Sequence, residues 1–447
     1  MRIGIVTHKF VRHDGQGRVN FELARVALEA GCELTLIAAE VDSTLLAHPR
    51  VRWIEISEGR LPSRLLRYQS VAWRAGRWLA RHRHELDIVH VNGFSAWTRA
   101  DVNAVHFVHR GFWRCGFYPY RLFRSARDTY QVVFTALNDA LEGWAFRRSR
   151  VIVPVSHKVA AEVALHGIAP AAMEVIHNGV DTDEFRPGHA ERASFGLPGA
   201  HMTDGIDGVH RSDVADVADL TAGANQAAVA DSTDSTDGSN IANGTGSLER
   251  PFMLLFAGDV QIPRKNLDTV LRALEHLPKH VHLAIAADVS GGNPYASRVA
   301  AAGLADRVHF LGLVKRMPAL MRSVDAFVFP SRYEPLGLVL LEAMSSGLPV
   351  ITVKSAGGAE VIDAASGIIL DDPNDVDGLA AAITSLIADP ARTREMGHAA
   401  RRNALPLGWR SMGERYLALY RRLVASPAYE TLPGASDAAQ RNSGSIS

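Results

Sequence analysis

The sequence predicts a two-domain α/β protein, each domain a parallel sheet with helices on both faces. Three observations carry that expectation. Apolar runs of strand length alternate with helix-period stretches along nearly the whole chain, as parallel strands joined by crossover helices require. At 447 residues the chain exceeds what one hydrophobic core keeps absorbing, so two domains are expected. The alternation is interrupted at residues 199–248, a stretch rich in Ala, Asp, Gly, Ser and Thr with no aromatic residue. Such a stretch cannot bury enough apolar area to offset its ordering entropy, and reads as a disordered acidic insertion.

The first domain, 1–180, opens on a strand over 3–6. A helix over 19–28 follows, then Gly31 where a helix stops, then a strand over 33–38. Further strands are expected over 88–91, 104–108 and 151–154, with arginine-rich helical stretches between them. Residues 181–250 connect the halves. The second domain, 251–406, places strands over 252–257, 282–287, 307–310, 326–329 and 349–353. In the span 407–425, Trp409, Met412, Tyr416, Leu419, Tyr420 and Leu423 recur at helix spacing, which predicts a helix that crosses back to the first domain. The tail, 426–447, is polar.

Composition narrows the class. The chain is 47% hydrophobic and 21% charged, as an ordinary globular protein is. Cys32 and Cys115 form neither a disulfide framework nor a zinc motif, so a reducing compartment is expected. The apolar start is too short for a signal sequence, and no window reaches the length of a membrane span. A cytoplasmic protein is the expectation. The formal net charge is zero, yet residues 51–150 carry 17 basic against 8 acidic side chains, while 199–248 carry 8 Asp and one Arg. A basic surface of this kind suits an anionic partner. From Arg60 to Arg83, arginine alternates with Leu, Trp and Tyr. That is either a solvated helix covering the sheet or a face resting peripherally on anionic lipid at the inner side of the cytoplasmic membrane. Phe112, Trp113, Phe117, Tyr118 and Tyr120 make a nearby aromatic-basic loop, with no nucleic-acid-binding signature.

The chemistry concentrates at 325–351, where a strand ends at Pro330, a loop follows, and a helix begins near Pro335 to Gly337. Ligands of open α/β sheets bind beyond the strands' carboxyl ends. A helix N-terminus there offers N–H groups and positive potential to a diphosphate, and Gly337 allows close backbone approach. Glu334 and Glu342 stand eight residues apart. Alone, such a pair is equally a helix-cap carboxylate and a surface glutamate.

In context the segment resembles the E-x7-E signature of the family-4 retaining glycosyltransferases, whose GT-B architecture has two facing Rossmann-like domains with an interdomain cleft. The resemblance extends to Asp14-Gly15-Gln16-Gly17-Arg18 with Glu22-Leu23-Ala24-Arg25, and to Ser156 after the 151–155 run. It continues through Val175-Ile176-His177-Asn178-Gly179-Val180-Asp181, residues 256–268, and Gly357-Gly358-Ala359-Glu360-Val361-Ile362. It implies that Glu334 approaches the transferred sugar, that the backbone of Leu336, Gly337 and Leu338 holds sugar hydroxyls and diphosphate, and that Glu342 binds the ribose. Arg264 and Lys265 match the family's phosphate-binding pair. Asp259 departs from it, standing where the family often has Arg, so that flank shapes the loop only. His109, in AVHFVHR, fits the family's cleft histidine at a strand end, with His106 as fallback. Gly15 and Gly17 should face diphosphate and acceptor.

The implied activity is hexose transfer with retention from a nucleoside-diphosphate sugar, UDP ahead of GDP on family frequency. The acceptor would be a glycan or lipid-linked molecule of cell-surface polysaccharide or glycolipid synthesis. Neither cofactor nor metal is expected, the Arg/Lys pair and helix terminus standing in their place. Charge builds on the leaving diphosphate and positive charge on the sugar ring, which fixed donors and a carboxylate respectively meet. A nicotinamide dehydrogenase is disfavoured because Gly15-Gln16-Gly17-Arg18-Val19-Asn20 lacks a third glycine. Asp181-Thr182-Asp183 reads as linker, not metal ligand, and serine-hydrolase and zinc-enzyme motifs do not occur. A non-catalytic GT-B protein that binds nucleotide sugars or acts as a scaffold is the alternative.

Overall fold

A computed structural model describes residues 1–57, 59, 63–199 and 250–426. The acidic stretch 199–248 (Gly199 apart), Arg60 to Pro62, and 427–447 lie outside the described residues. Each half is built on a six-stranded sheet whose pairings are all parallel. The first sheet runs Val51–Glu55, Glu33–Ala38, Arg2–Val6, Ile88–Asn92, Ala100–Val105, Ser149–Pro154. The second runs Val308–Gly312, Val281–Ala286, Phe252–Ala257, Ala326–Phe329, Val350–Val353, Gly367–Leu370. In both, the first strand lies central, the next two go to one side, and the last three to the other. This is the doubly wound arrangement that alternating strand and helix patterns imply.

Several expected boundaries shift. The strand anticipated over 104–108 is Ala100–Val105, its ladder ending where Val105 lies opposite Pro154 and Val155 N donates to Val105 O at 3.2 Å. The chain then turns into a helix at His109–Arg114. The helix anticipated from residue 19 starts at Gly15. Strands Val51–Glu55 and Gly367–Leu370 are edge strands whose side chains stay largely half-exposed, so the apolar run that marks a central strand is weak there.

The helix Trp409–Ala425 lies against the first domain. Its Trp409, Met412, Tyr416 and Tyr420 share a buried cluster with Ile3, Val26 and Leu36. Gly413 leaves room for Val26, whose Cβ would lie 2.6 Å from an added Cβ. Tyr420 Oη and His90 Nδ1 are 2.5 Å apart. The chain enters the interdomain connection beside this helix: Val180 N donates to Leu407 O at 2.8 Å, and a Cβ on Gly179 would sit 2.7 Å from Trp409 Cα. The domains share buried apolar contacts, with Val105, Val108, Val155 and Val159 clustering with Leu336, Leu340 and Ala356. Among the described residues no helix is long and apolar enough to cross a membrane.

Candidate active site

Strand order reverses between Arg2–Val6 and Ile88–Asn92 in one sheet, and between Phe252–Ala257 and Ala326–Phe329 in the other. Loops leaving such strands frame a crevice at the carboxyl edge. In the second domain the two loops are stitched together. Asn266, buried and left-handed at φ 64°, a conformation asparagine tolerates, donates through Nδ2 to Pro330 O at 2.9 Å and Pro373 O at 2.6 Å. Arg264 O accepts from Arg332 N at 2.8 Å and Ser331 Oγ at 3.0 Å. Asp259 accepts from Gln261 N at 2.8 Å and shapes the turn.

This stitching converges three predicted site residues. Lys265 Nζ donates to Glu334 Oε2 at 2.6 Å, and Arg264 Nη1 reaches the same oxygen at 3.3 Å and Tyr333 O at 3.0 Å. Glu334 is only 9% exposed, and these two cations are its ion-pair partners there. Leu336 is buried beside it. Gly337, at φ +89°, precedes the helix Leu338–Ser345, and a Cβ there would crowd Glu334 Cγ at 3.2 Å. Gly357 N donates to Glu334 O at 2.9 Å and Gly358 N to Leu336 O at 2.7 Å. A Cβ on Gly357 would lie 1.8 Å from Pro335 O, so the Gly-Gly pair lets the two loops lie backbone to backbone.

Glu342 lies one turn into that short helix, half-buried, and its carboxylate makes no hydrogen bond or ion pair with the described residues. Burial pushes its pKa up to about 7, with Glu184 adding and Arg18 opposing. Gly15 opens the first-domain helix near the second domain, where Leu338 Cδ1 would lie 3.8 Å from an added Cβ. Gly17 is set differently: it is buried, and a Cβ there would meet Val11 Cγ2 at 2.7 Å, so packing within its own domain accounts for the glycine. Asp181 accepts from Glu184 N at 2.9 Å and forms a local turn.

His109 is the first residue of a helix rather than the end of a strand. Its backbone N and Nδ1 meet the two oxygens of Glu142 at 2.9 and 2.6 Å. The hydroxyl of Tyr333 lies 3.1 Å from the carbonyl oxygen of the preceding residue, Val108, and 2.9 Å from Glu162 Oε2, so its one proton is shared between the two acceptors. Thus His109 and Glu334 each adjoin one end of a direct interdomain hydrogen bond. His106 serves a different purpose. It meets Asn92 Oδ1 at 3.1 Å, Asn92 meets Asn20 at 3.1 Å, and burial pushes the imidazole down to about 4.

Sequence reasoning did not anticipate Tyr333, Glu142 or Glu162, whose roles arise from contacts distant in sequence. Ser156, His177 and Glu360 stand in the sequence as motif residues only. In space, Ser156 Oγ donates to Pro335 O at 2.6 Å. Glu360 accepts from His157 N at 2.9 Å and pairs with His177 Nε2 at 2.5 Å. All these bonds cross between the domains beside the Glu334 loop.

Residues 13–184 match the model of Glycosyltransferase Family 4, and residues 239–403 that of Glycosyl transferases group 1. The chain is 37% identical over 173 residues to a GDP-mannose-dependent alpha-(1-6)-phosphatidylinositol monomannoside mannosyltransferase of Mycolicibacterium smegmatis, covering 35% of this chain and 45% of that protein. It is 31% identical over 290 residues to a D-inositol 3-phosphate glycosyltransferase of Mycobacterium tuberculosis, covering 62% and 49%. The chain thus spans about half the length of the curated relatives it matches. Among solved structures, a sucrose-phosphate synthase from Thermosynechococcus elongatus superposes with a TM-score of 0.68 at 19% identity, covering 95% of this chain and 99% of that one. WaaG, a glycosyltransferase involved in lipopolysaccharide biosynthesis, superposes with 0.64 at 16% identity, covering 94% and 99%. At such identities the likeness is one of fold.

Proposed function

This chain belongs to the family-4 glycosyltransferases and has their GT-B fold, and on that premise we propose that it is a retaining hexosyltransferase using a nucleoside-diphosphate sugar. The observation that carries this reading is the meeting of Arg264, Lys265 and Glu334 at the carboxyl edge of the second sheet. A diphosphate entering there exchanges with Glu334 as partner of the two cations. The freed carboxylate then faces the sugar. The bond from anomeric carbon to phosphate oxygen breaks with its electron pair on the phosphate. The acceptor hydroxyl attacks on the same face and passes its proton to that phosphate. Arg264, Lys265 and the helix start at Gly337 and Leu338 stabilise the leaving charge, with no metal or cofactor required of the scheme. Glu342 accepts from the ribose hydroxyls, and His109 contacts the hexose.

The names of the mycobacterial relatives bring GDP-mannose beside the UDP sugars as donor, and favour a lipid or polyol acceptor. A peripheral, cytoplasmic-face contact with anionic lipid fits the same reading. Helix Arg64–His82 exposes Leu66 and Trp73 alongside Arg77, the adjoining helix Ala126–Phe146 exposes Val133, and Phe123 between them is 89% exposed. Sedimentation with phosphatidylglycerol vesicles, lost in Trp73→Glu with Phe123→Glu, tests that contact; equal sedimentation of both proteins refutes it.

The donor reading is tested by melting temperature against UDP, GDP, ADP, their hexose conjugates and NAD. One nucleoside diphosphate and its sugar should raise it by mass action. A rise with NAD alone, or with no nucleotide, refutes the donor site.

A further inference from the structure

We propose that Glu142 is a positioning residue that sets the tautomer His109 presents to the sugar, an inference that rests on the hexosyl-transfer reading. Glu142 sits on the helix Ala126–Phe146, 5% exposed. One oxygen accepts the His109 backbone N–H at 2.9 Å, and the other meets Nδ1 at 2.6 Å. One turn earlier on the same helix face, Asp139 holds the next residue, Arg110, with both oxygens at 2.8 and 3.2 Å. The helix therefore grips the first two residues of the helix His109–Arg114, next to the Val108 carbonyl that Tyr333 meets. The imidazole is held edge-on by Phe107 and Phe134, at centroid distances of 5.0 and 6.0 Å. Its Nε2 makes no hydrogen bond with the described residues, and the side chain keeps 22% exposure.

An ionised carboxylate only accepts hydrogen bonds. Nδ1 must therefore carry the proton, and Nε2 presents a lone pair, since the bond at one ring nitrogen fixes the state of the other. A sugar hydroxyl both donates and accepts, so ground-state binding hardly depends on which tautomer it meets. The transition state does depend on it. Positive charge builds on the sugar ring; a lone pair backed by a carboxylate favours that charge, while an N–H edge opposes it. Glu142 thus acts on turnover and little on binding.

Glu142→Gln makes the test, because its amide oxygen can still accept the backbone N–H while its amide nitrogen donates to Nδ1 and reverses the tautomer. In the full-length chain labelled with 15N-histidine, two-bond proton–nitrogen couplings should show His109 as the Nδ1–H form in the wild type and the Nε2–H form in Glu142→Gln. With the donor sugar that the enzyme turns over, kcat should fall roughly 100-fold, with KM within about threefold. Glu142→Asp keeps an acceptor-only carboxylate, so it should retain the wild-type tautomer and recover most of kcat, which a merely structural cap would not link. A wild-type ring that is Nε2–H or doubly protonated at neutral pH overturns the proposal, and so does a reversed tautomer with kcat unchanged. Should the wild type turn over no nucleotide sugar, the transfer reading fails, while the spectra still decide whether Glu142 fixes the ring.

Discussion

Lys265 and Arg264 place their charges on a single oxygen of Glu334, and this shared oxygen ties the three residues into one unit. The motif was legible in sequence through its order of strand, loop, Pro, Gly and helix and its resemblance to the family, whose proposed transfer calls for cations and a carboxylate at these offsets. Tyr333 and Glu142 were not legible, since their partners lie 225 and 33 residues away along the chain. Glu342 offers a test at this scale. Its folded pKa of about 7 stands above the ordinary value of 4.5. The favourable contribution of its neutral form is therefore complete below about pH 4.5 and is lost as pH rises through 7. Glu342→Gln cannot ionise, so its melting temperature should gain on the wild type between pH 6 and 8, by roughly 2–4 °C. In the proposed donor site the same variant should bind donor more weakly, because the amide replaces an oxygen assigned there to accept from ribose. Melting curves of equal pH dependence would contradict the burial account.

At the scale of elements, the central strands and the helix Trp409–Ala425 could be read because they bury continuous or helix-spaced apolar residues. The edge strands Val51–Glu55 and Gly367–Leu370 escaped, being half-exposed. The strand bearing His109's neighbours was misplaced because apolar residues run on past the last paired residue, Val105. Gly179 has a structural reason: the backbone of Trp409 occupies the space of its missing Cβ, with Cα at 2.7 Å and N at 2.8 Å. Backbone cannot give way as a flexible side chain does. Gly179→Ala should cost about 1–3 kcal/mol of helix docking. Hydrogen exchange should then accelerate across Trp409–Ala425 while the second sheet stays protected; unchanged exchange would show that this approach does not hold the helix.

For the whole molecule, the returning helix packs on the first domain, and Ser156–Pro335, Tyr333–Val108 and His177–Glu360 bond the two domains directly. These bonds fix the Glu334 loop against the first domain, so the proposed transfer depends on both halves. The family motifs gain a physical meaning here: Ser156, His177 and Glu360 make interdomain contacts. In the proposed transfer, Arg264, Lys265 and Glu334 together bind and release a hexose donor's diphosphate. The most direct measurement is the release of nucleoside diphosphate from the donor that raises the melting temperature, compared between wild type and Lys265→Ala. A loss of roughly 100-fold is predicted for one missing charge-stabilising donor. A variant within about tenfold of wild type, or a wild type that releases none, would contradict that role.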